Sequence, residues 1–86
     1  MEEHEAAEIV MSVVRKDLQL KGEVNPDHCF QENLGGDSLD ILEVQIDVAE
    51  TAERQLGRYV DADSLEIYKN NTVNKLTAAL MVQVGL

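Results

Sequence analysis

Aliphatic side chains recur at spacings of three and four along the chain, and this periodicity limits the fold more than any other feature. Residues three and four apart lie on one face of an α-helix, whereas a half-buried strand requires strict alternation. The first such stretch runs from about Glu3 to Leu20, and Gly22 is its expected stop. The face predicted to be buried consists of Ala6, Ile9, Val10, Val13 and Val14.

A second stretch is predicted to begin at Asp37 or Ser38, which are both residue types that cap helix N-termini, and to end at Gly57. Because an α-helix turns by about 100° per residue, the stretch divides into three stripes. The first apolar stripe consists of Ile41, Val44, Val48 and Ala52. The second apolar stripe consists of Leu39, Leu42 and Ile46, and an acidic stripe consists of Asp40, Glu43, Asp47 and Glu50. A core-facing helix needs only one apolar stripe, which leaves the other for a different contact.

Two further helices are predicted in the C-terminal part of the chain. A short helix is expected from Asp63, as its N-cap, to Tyr68, and the asparagines that follow should break it. The last helix is expected to begin near Asn71 or Thr72. Its predicted buried face consists of Val73, Leu76, Leu80 and Val84.

A loop over residues 21–37 separates the first two predicted helices. An Asn-Pro-Asp turn signal lies at 25–27, and Phe30 and Leu34 are expected to anchor the loop in the core. Together these segments predict an all-α fold, a small four-helix bundle of three longer helices and one short helix. The 86 residues are too few for two hydrophobic cores, so we expect residues 1–86 to form a single domain.

The composition is acidic and poor in aromatic residues. Phe30, Tyr59 and Tyr68 are the only aromatic side chains, which favours a helical protein, and the tyrosines are expected to cover the core near the short helix. Seven basic residues stand against 17 acidic ones, for a formal net charge of −10. Nucleic acids and anionic membranes require a basic face, so the charge argues against both and favours partners with Lys and Arg patches.

The second predicted helix concentrates this negative charge. Seven acidic residues and no basic residue lie in the segment from Glu32 to Glu53. Like charges at helical spacing cost roughly 0.2–0.5 kcal/mol per pair. Asp47 and Glu50 also lie too far from the N-terminus to be stabilised by the helix dipole. This unrelieved repulsion favours a partner-binding surface over a face that is merely solvated.

Cysteine usage and the N-terminal residues bear on the compartment. Cys29 is the single cysteine, so no internal disulfide can form and a reducing compartment is expected. The acidic N-terminus lacks the apolar stretch of a signal peptide, and no apolar run reaches membrane-spanning length. We therefore expect a cytoplasmic monomer without membrane insertion.

No metal site is expected. The segment that begins with Asp61-Ala62-Asp63 resembles the start of a calcium loop, but it lacks the required glycine and the glutamate at the twelfth position. His4, His28 and Cys29 are too few for a zinc site.

The segment from Glu32 to Asp40 is the most informative part of the sequence. Within it, Gly35 and Gly36 precede Asp37 and Ser38, and Ser38 lies at the predicted start of the second helix. A serine at that position has an exposed hydroxyl beside free N–H groups and the positive end of the helix dipole. A phosphate attached there would be stabilised by the features that make helix N-termini anion sites. The same serine could also be an ordinary N-cap, so the residue pattern alone leaves both roles open.

The motif Leu34-Gly35-Gly36-Asp37-Ser38-Leu39-Asp40, followed by an acidic helix, resembles the acyl carrier protein family. Phe30 upstream and Thr72-Val73 at the start of the last helix extend the resemblance over nearly the whole chain. The resemblance implies that Ser38 carries a covalent 4'-phosphopantetheine arm, which a phosphopantetheinyl transferase attaches from coenzyme A. The chain would then be a carrier without catalytic residues, which holds acyl groups as thioesters for fatty-acid, polyketide or related specialised biosynthesis.

The resemblance also implies a partner-recognition face on the second helix. Acyl-loading, acyl-transferring or condensing enzymes would dock their basic patches on this face. Its acidic members would be Asp37, Asp40, Glu43, Asp47 and Glu50, and its apolar members would be Leu39, Leu42 and Ile46.

The cargo of such a carrier stays open at the level of sequence. The stretch from Ser38 to Thr72 is longer than in the plainest fatty-acid carriers, and its extended segment 55–63 contains Arg58 and Tyr59 in place of a tight, acidic loop. Gly35 and Gly36, which precede the Asp-Ser pair of the motif, are similar to the glycines of carriers in peptide and polyketide assembly. An aminoacyl or peptidyl cargo is therefore an alternative to an acyl chain.

Two interpretations from other functional classes also fit parts of the sequence. A non-carrier acidic helical adaptor would present the same charged face. The Gly-Asp-Ser-Leu sequence at 36–39 also matches a signature of esterases and lipases. However, a hydrolytic serine needs a histidine base, both histidines lie upstream, and Asp40 replaces the last glycine of the nucleophile elbow.

Overall fold

The computed structural model of the chain describes residues 1–85, which form three α-helices and one short 3-10 turn. Helix α1 spans Glu3–Asp17, α2 spans Ser38–Leu56 and α3 spans Val73–Val84. The 3-10 turn spans Asp63–Leu65. No strand occurs in this part of the chain. The all-α class is confirmed, but the predicted fourth helix is only this turn.

The hydrophobic core lies between the three helices, with α1 packed against both α2 and α3. The predicted inner faces are buried in full: five side chains of α1, four of α2 and four of α3. Phe30 enters the same core from the loop between α1 and α2, and Leu34 packs against it half-buried. Full burial of each aliphatic side chain contributes roughly 1.5–3 kcal/mol, so these helical stripes supply most of the driving force for folding.

Helix α1 ends three residues earlier than its predicted end at Leu20. The Leu20 N–H donates to the Arg15 carbonyl at 2.9 Å, and the Gln19 N–H donates to the Lys16 carbonyl at 3.3 Å. This pair of bonds is a Schellman motif, which requires a left-handed residue just past the helix. Gln19 holds that conformation with φ of 53°, although glycine is the usual residue there. The expected stop at Gly22 lies beyond the true end.

Replacing Gln19 with glycine should stabilise the fold. A left-handed backbone costs an ordinary L-residue roughly 1–2 kcal/mol, and the added flexibility of the unfolded chain offsets part of the gain. We expect Gln19→Gly to raise the free energy of unfolding by about 0.5–1 kcal/mol, as measured by urea denaturation. The control Gln19→Ala should give no increase, and a Gln19→Gly variant less stable than wild type would contradict the assignment.

The expected helix from Asp63 to Tyr68 stops after one 3-10 turn. Glu66 adopts a left-handed conformation with φ of 47°, which ends the turn. Leu65 and Ile67 are both fully buried, and residues two apart in a helix would point to nearly opposite sides. The core therefore favours a break at Glu66 over a continued helix.

The predicted cap of this segment was also wrong, because the turn begins at Asp63 and its N-cap is Ala62, which makes no side-chain capping bond. The carboxylate of Asp61, rather than that of Asp63, organises the turn. It accepts the Asp63 N–H at 3.2 Å and the Ser64 hydroxyl at 2.6 Å. The Asp61 carboxylate therefore holds the start of the turn through both of its oxygens.

The ends of α2 and α3 follow the prediction. Gly57 ends α2 in a left-handed conformation with φ of 68°, and its N–H donates to the Glu53 carbonyl. Thr72 caps α3, because its hydroxyl oxygen accepts the Lys75 N–H at 3.1 Å. The long loop is tied to this same helix start, since the Phe30 N–H donates to the Asn71 carbonyl at 3.0 Å.

Candidate functional site

Ser38 is the first residue of α2, and its side chain is exposed. Of Asp37 and Ser38, the two predicted N-caps, the structure shows that Asp37 caps α2. Its carboxylate accepts the Asp40 N–H at 2.9 Å. Asp40 in turn accepts the Asp37 N–H at 3.1 Å, which completes a capping box. Because Asp37 performs the capping, the Ser38 hydroxyl has no partner among residues 1–85 and remains available for chemistry.

The glycine pair before the helix fixes where this serine lies. Gly35 has φ of 75°, a conformation that other residues adopt at a cost. Gly36 packs so closely that an added Cβ would lie 2.9 Å from the Leu18 side chain and 3.2 Å from the Phe30 carbonyl oxygen. The Gly36 N–H donates to that same carbonyl at 2.9 Å. The loop thus joins the buried Phe30 directly to the cap of α2.

The second apolar stripe of α2 faces solvent. Leu39, Leu42 and Ile46 are between 42% and 67% exposed, although large apolar side chains are usually buried. They follow Ser38 at helical spacing, so they form a continuous apolar strip beginning beside the serine. The sequence prediction that this stripe does not serve the core agrees with its exposure.

The five acidic residues predicted for partner recognition differ in their surroundings. Asp37 and Asp40 are occupied by the capping box. Glu43 and Glu50 are exposed, whereas Asp47 is half-buried and turned toward α1. Only the two glutamates are therefore exposed acidic groups of this face that take no part in a cap or an ion pair within residues 1–85, and the charge of Glu43 is a minor cause of the raised pKa of Asp17.

Asp47 faces Asp17, the last residue of α1, in a pair of carboxyl groups that sequence analysis did not foresee. The Asp17 side chain is only 6% exposed, and among residues 1–85 no group donates a hydrogen bond to its buried Oδ2. Lys16 Nζ lies 3.9 Å from a carboxylate oxygen of each aspartate. Burial, followed by the hydrogen bond and the charge of Asp47, raises the pKa of Asp17 to about 7. A proton held on Asp17 lets that carboxyl donate to Asp47 across the helix interface.

This proton makes the stability of the fold depend on pH. Between the ordinary value of 3.8 and about 7, folded Asp17 keeps a proton that the unfolded chain releases, so stability falls as pH rises through that range. Asparagine mimics the protonated carboxyl. We expect Asp17→Asn to gain stability relative to wild type as pH rises from 4 to 8, by about 1.4 kcal/mol for each unit by which folding raises the Asp17 pKa.

Urea denaturation at several pH values measures this difference. Asp63→Asn is the matched control, because it removes one negative charge from an exposed aspartate. Parallel stability curves for wild type and Asp17→Asn would contradict the shared proton.

The two tyrosines lie elsewhere than the sequence suggests. Instead of covering the core, Tyr59 is 78% exposed and Tyr68 is 55% exposed. The Tyr68 hydroxyl donates to the Ser38 carbonyl oxygen at 3.4 Å. Sequence analysis could not detect this contact, because the two residues lie 30 positions apart and no local pattern links them.

Two classes of site are not found in the described part of the chain. No helix within residues 1–85 combines the length and apolarity needed to cross a membrane. In the same residues, no three His, Cys, Asp or Glu side chains are grouped closely enough to hold a metal ion.

Comparison with protein-family models identifies the class of protein. Residues 8–80 match the family described as phosphopantetheine attachment site. The match covers most of the chain, which therefore belongs to this family of carrier domains. Its members carry a covalently attached 4'-phosphopantetheine group and interact with phosphopantetheinyl transferases and acyl-handling enzymes. No curated protein and no solved structure matched the chain.

The residues at the start of α2 fit such a group. Attachment needs an accessible hydroxyl, and Ser38 is exposed with its capping role taken by Asp37. The N–H groups of Ser38 and Leu39 have no acceptor inside the helix, so the first turn of α2 favours an anion such as a phosphate group beside it.

Proposed function

We propose that the chain is an acyl carrier protein that holds acyl intermediates as thioesters on a 4'-phosphopantetheine arm attached to Ser38. The observation that carries the proposal is the exposed hydroxyl of Ser38 on the first turn of α2, in a chain of the phosphopantetheine attachment family. The arm supplies a thiol that forms a thioester with the acyl group. We propose fatty-acid, polyketide or related specialised biosynthesis as the setting.

The chain itself presents and protects the acyl group on the arm, while partner enzymes supply the catalysis. During attachment, the Ser38 oxygen forms a new bond to the pantetheine-bearing phosphorus of coenzyme A. The bond from that phosphorus to adenosine 3',5'-bisphosphate breaks, and the transferase accepts the hydroxyl proton. Asp37 keeps the hydroxyl available by capping the helix with its own carboxylate.

Partner enzymes are proposed to dock on the exposed face of α2. Leu39, Leu42 and Ile46 offer apolar contacts, and Glu43 and Glu50 lie on the same helix as exposed negative charges. Complementary charge accelerates encounter and keeps binding reversible, which suits a carrier that visits several enzymes. The acidic composition and the single cysteine suit a monomer that works in the cytoplasm.

The attachment residue can be tested by incubation with coenzyme A and a broad-specificity phosphopantetheinyl transferase, followed by intact-mass measurement. Wild type should gain the mass of one phosphopantetheine, and Ser38→Ala should gain none. Because Ser38 does not cap α2, Ser38→Ala should change the free energy of unfolding by less than about 1 kcal/mol. The control Ser12→Ala, at an exposed serine of α1, should be modified like wild type. Modification of Ser38→Ala, or an inert wild type, would contradict the proposal.

Charge reversal tests the docking face. The double variant Glu43→Lys, Glu50→Lys should lower the kcat/KM of the transferase by roughly tenfold at low ionic strength, and added salt should shrink the difference. Asp47 is left unchanged, since it pairs with Asp17 and its reversal would also perturb the fold. The matched control for the Glu43→Lys, Glu50→Lys variant reverses two exposed glutamates outside α2, Glu8→Lys and Glu23→Lys. Equal losses for both double variants would argue against a specific role for α2.

A further inference from the structure

Tyr68 lies beside the proposed attachment residue. Its hydroxyl donates to the Ser38 carbonyl oxygen at 3.4 Å, which is long for an O–H···O hydrogen bond. The side chain is 55% exposed, so the ring is not confined by the core. A hydroxyl held by such a long contact is free to donate to a stronger acceptor placed nearby.

The backbone that carries Tyr68 is fixed relative to α2. The buried side chain of Gln45, on α2, accepts the Ile67 N–H at 2.9 Å. The Asn70 side-chain amide donates to the Leu65 carbonyl at 2.8 Å, and Leu65 and Ile67 are both fully buried. The helix that presents Ser38 therefore also fixes the turn that presents Tyr68.

The charge around Ser38 makes a neutral donor useful at this point. The acidic side chains that flank Ser38 in the first turn are those of Asp37 and Asp40, which accept hydrogen bonds and repel an anion. The Tyr68 hydroxyl adds a donor without adding charge. A hydrogen bond from a neutral donor to a charged oxygen is shorter and stronger than one to a backbone carbonyl.

We propose that Tyr68 is a positioning residue for the arm. Its hydroxyl leaves the Ser38 carbonyl and donates to a phosphodiester oxygen attached to Ser38. This bond sets the direction in which the arm leaves α2. The inference rests on the attachment at Ser38 proposed above.

The variant Tyr68→Phe isolates the hydroxyl, because it keeps the ring and removes only the donor. The control is Tyr59→Phe, since Tyr59 is also an exposed tyrosine and no hydrogen bond within residues 1–85 joins it to Ser38. All three proteins are treated with coenzyme A and a transferase, and intact mass first establishes that each carries the arm. An unmodified wild type at this step overturns the attachment at Ser38 and, with it, the role of Tyr68.

Phosphorus NMR of the modified proteins then tests Tyr68 separately. The phosphodiester resonance of Tyr68→Phe should be displaced from wild type by more than its linewidth, while that of Tyr59→Phe should coincide with wild type. Melting temperatures separate this role from a structural one: Tyr68→Phe should lose more stability with the arm than without it. Coincident resonances in all three modified proteins would overturn the role of Tyr68 and leave the attachment intact.

The unsubstituted protein offers an independent measurement. Proton NMR of the modified wild type should give nuclear Overhauser contacts between the Tyr68 ring and the first methylene groups of the arm. If the arm shows contacts only with residues distant from Tyr68, the proposal is overturned, whatever the variants show.

Discussion

The start of α2 depends on one connection between the core and the helix cap. Phe30 is fully buried, and its carbonyl accepts the Gly36 N–H. Gly36 fits against this carbonyl only because it has no side chain, and Asp37 follows at once as the N-cap. Ser38 is therefore placed by the core rather than by a free loop. A group on a rigid helix turn can be presented to many partner enzymes in the same geometry.

The negative charge of α2 performs several separate tasks. Asp37 and Asp40 stabilise the first turn, where the helix dipole favours carboxylates. Asp47 faces Asp17 across the α1–α2 interface, and its charge helps to raise the pKa of that carboxyl. The exposed glutamates are left as the charges that a basic partner can reach without disturbing the fold. The proposed docking surface is thus narrower than the acidic stripe in the sequence, and it includes the exposed apolar strip of Leu39, Leu42 and Ile46.

The sequence predicts the features that depend on local periodicity. The buried faces of the three helices, the start of α3 near Thr72 and the stop at Gly57 all agree with the structure, since helical spacing and capping chemistry are local. The end of α1 was missed because Gln19 takes a conformation usually reserved for glycine. The short helix was missed because core packing around Leu65 and Ile67 outweighs local propensity. Contacts between distant segments, such as Asp17 with Asp47 and Tyr68 with Ser38, leave no trace in local patterns.

The central claim is that the hydroxyl at the start of α2 receives the arm, and the most direct test is to locate the modification on the wild-type chain. The chain is incubated with coenzyme A and a phosphopantetheinyl transferase, digested, and its peptides are sequenced by fragmentation mass spectrometry. The account predicts that the added mass lies on Ser38 and on neither of the other two serines, Ser12 and Ser64. An added mass on another residue, or its absence from every peptide, would contradict the account.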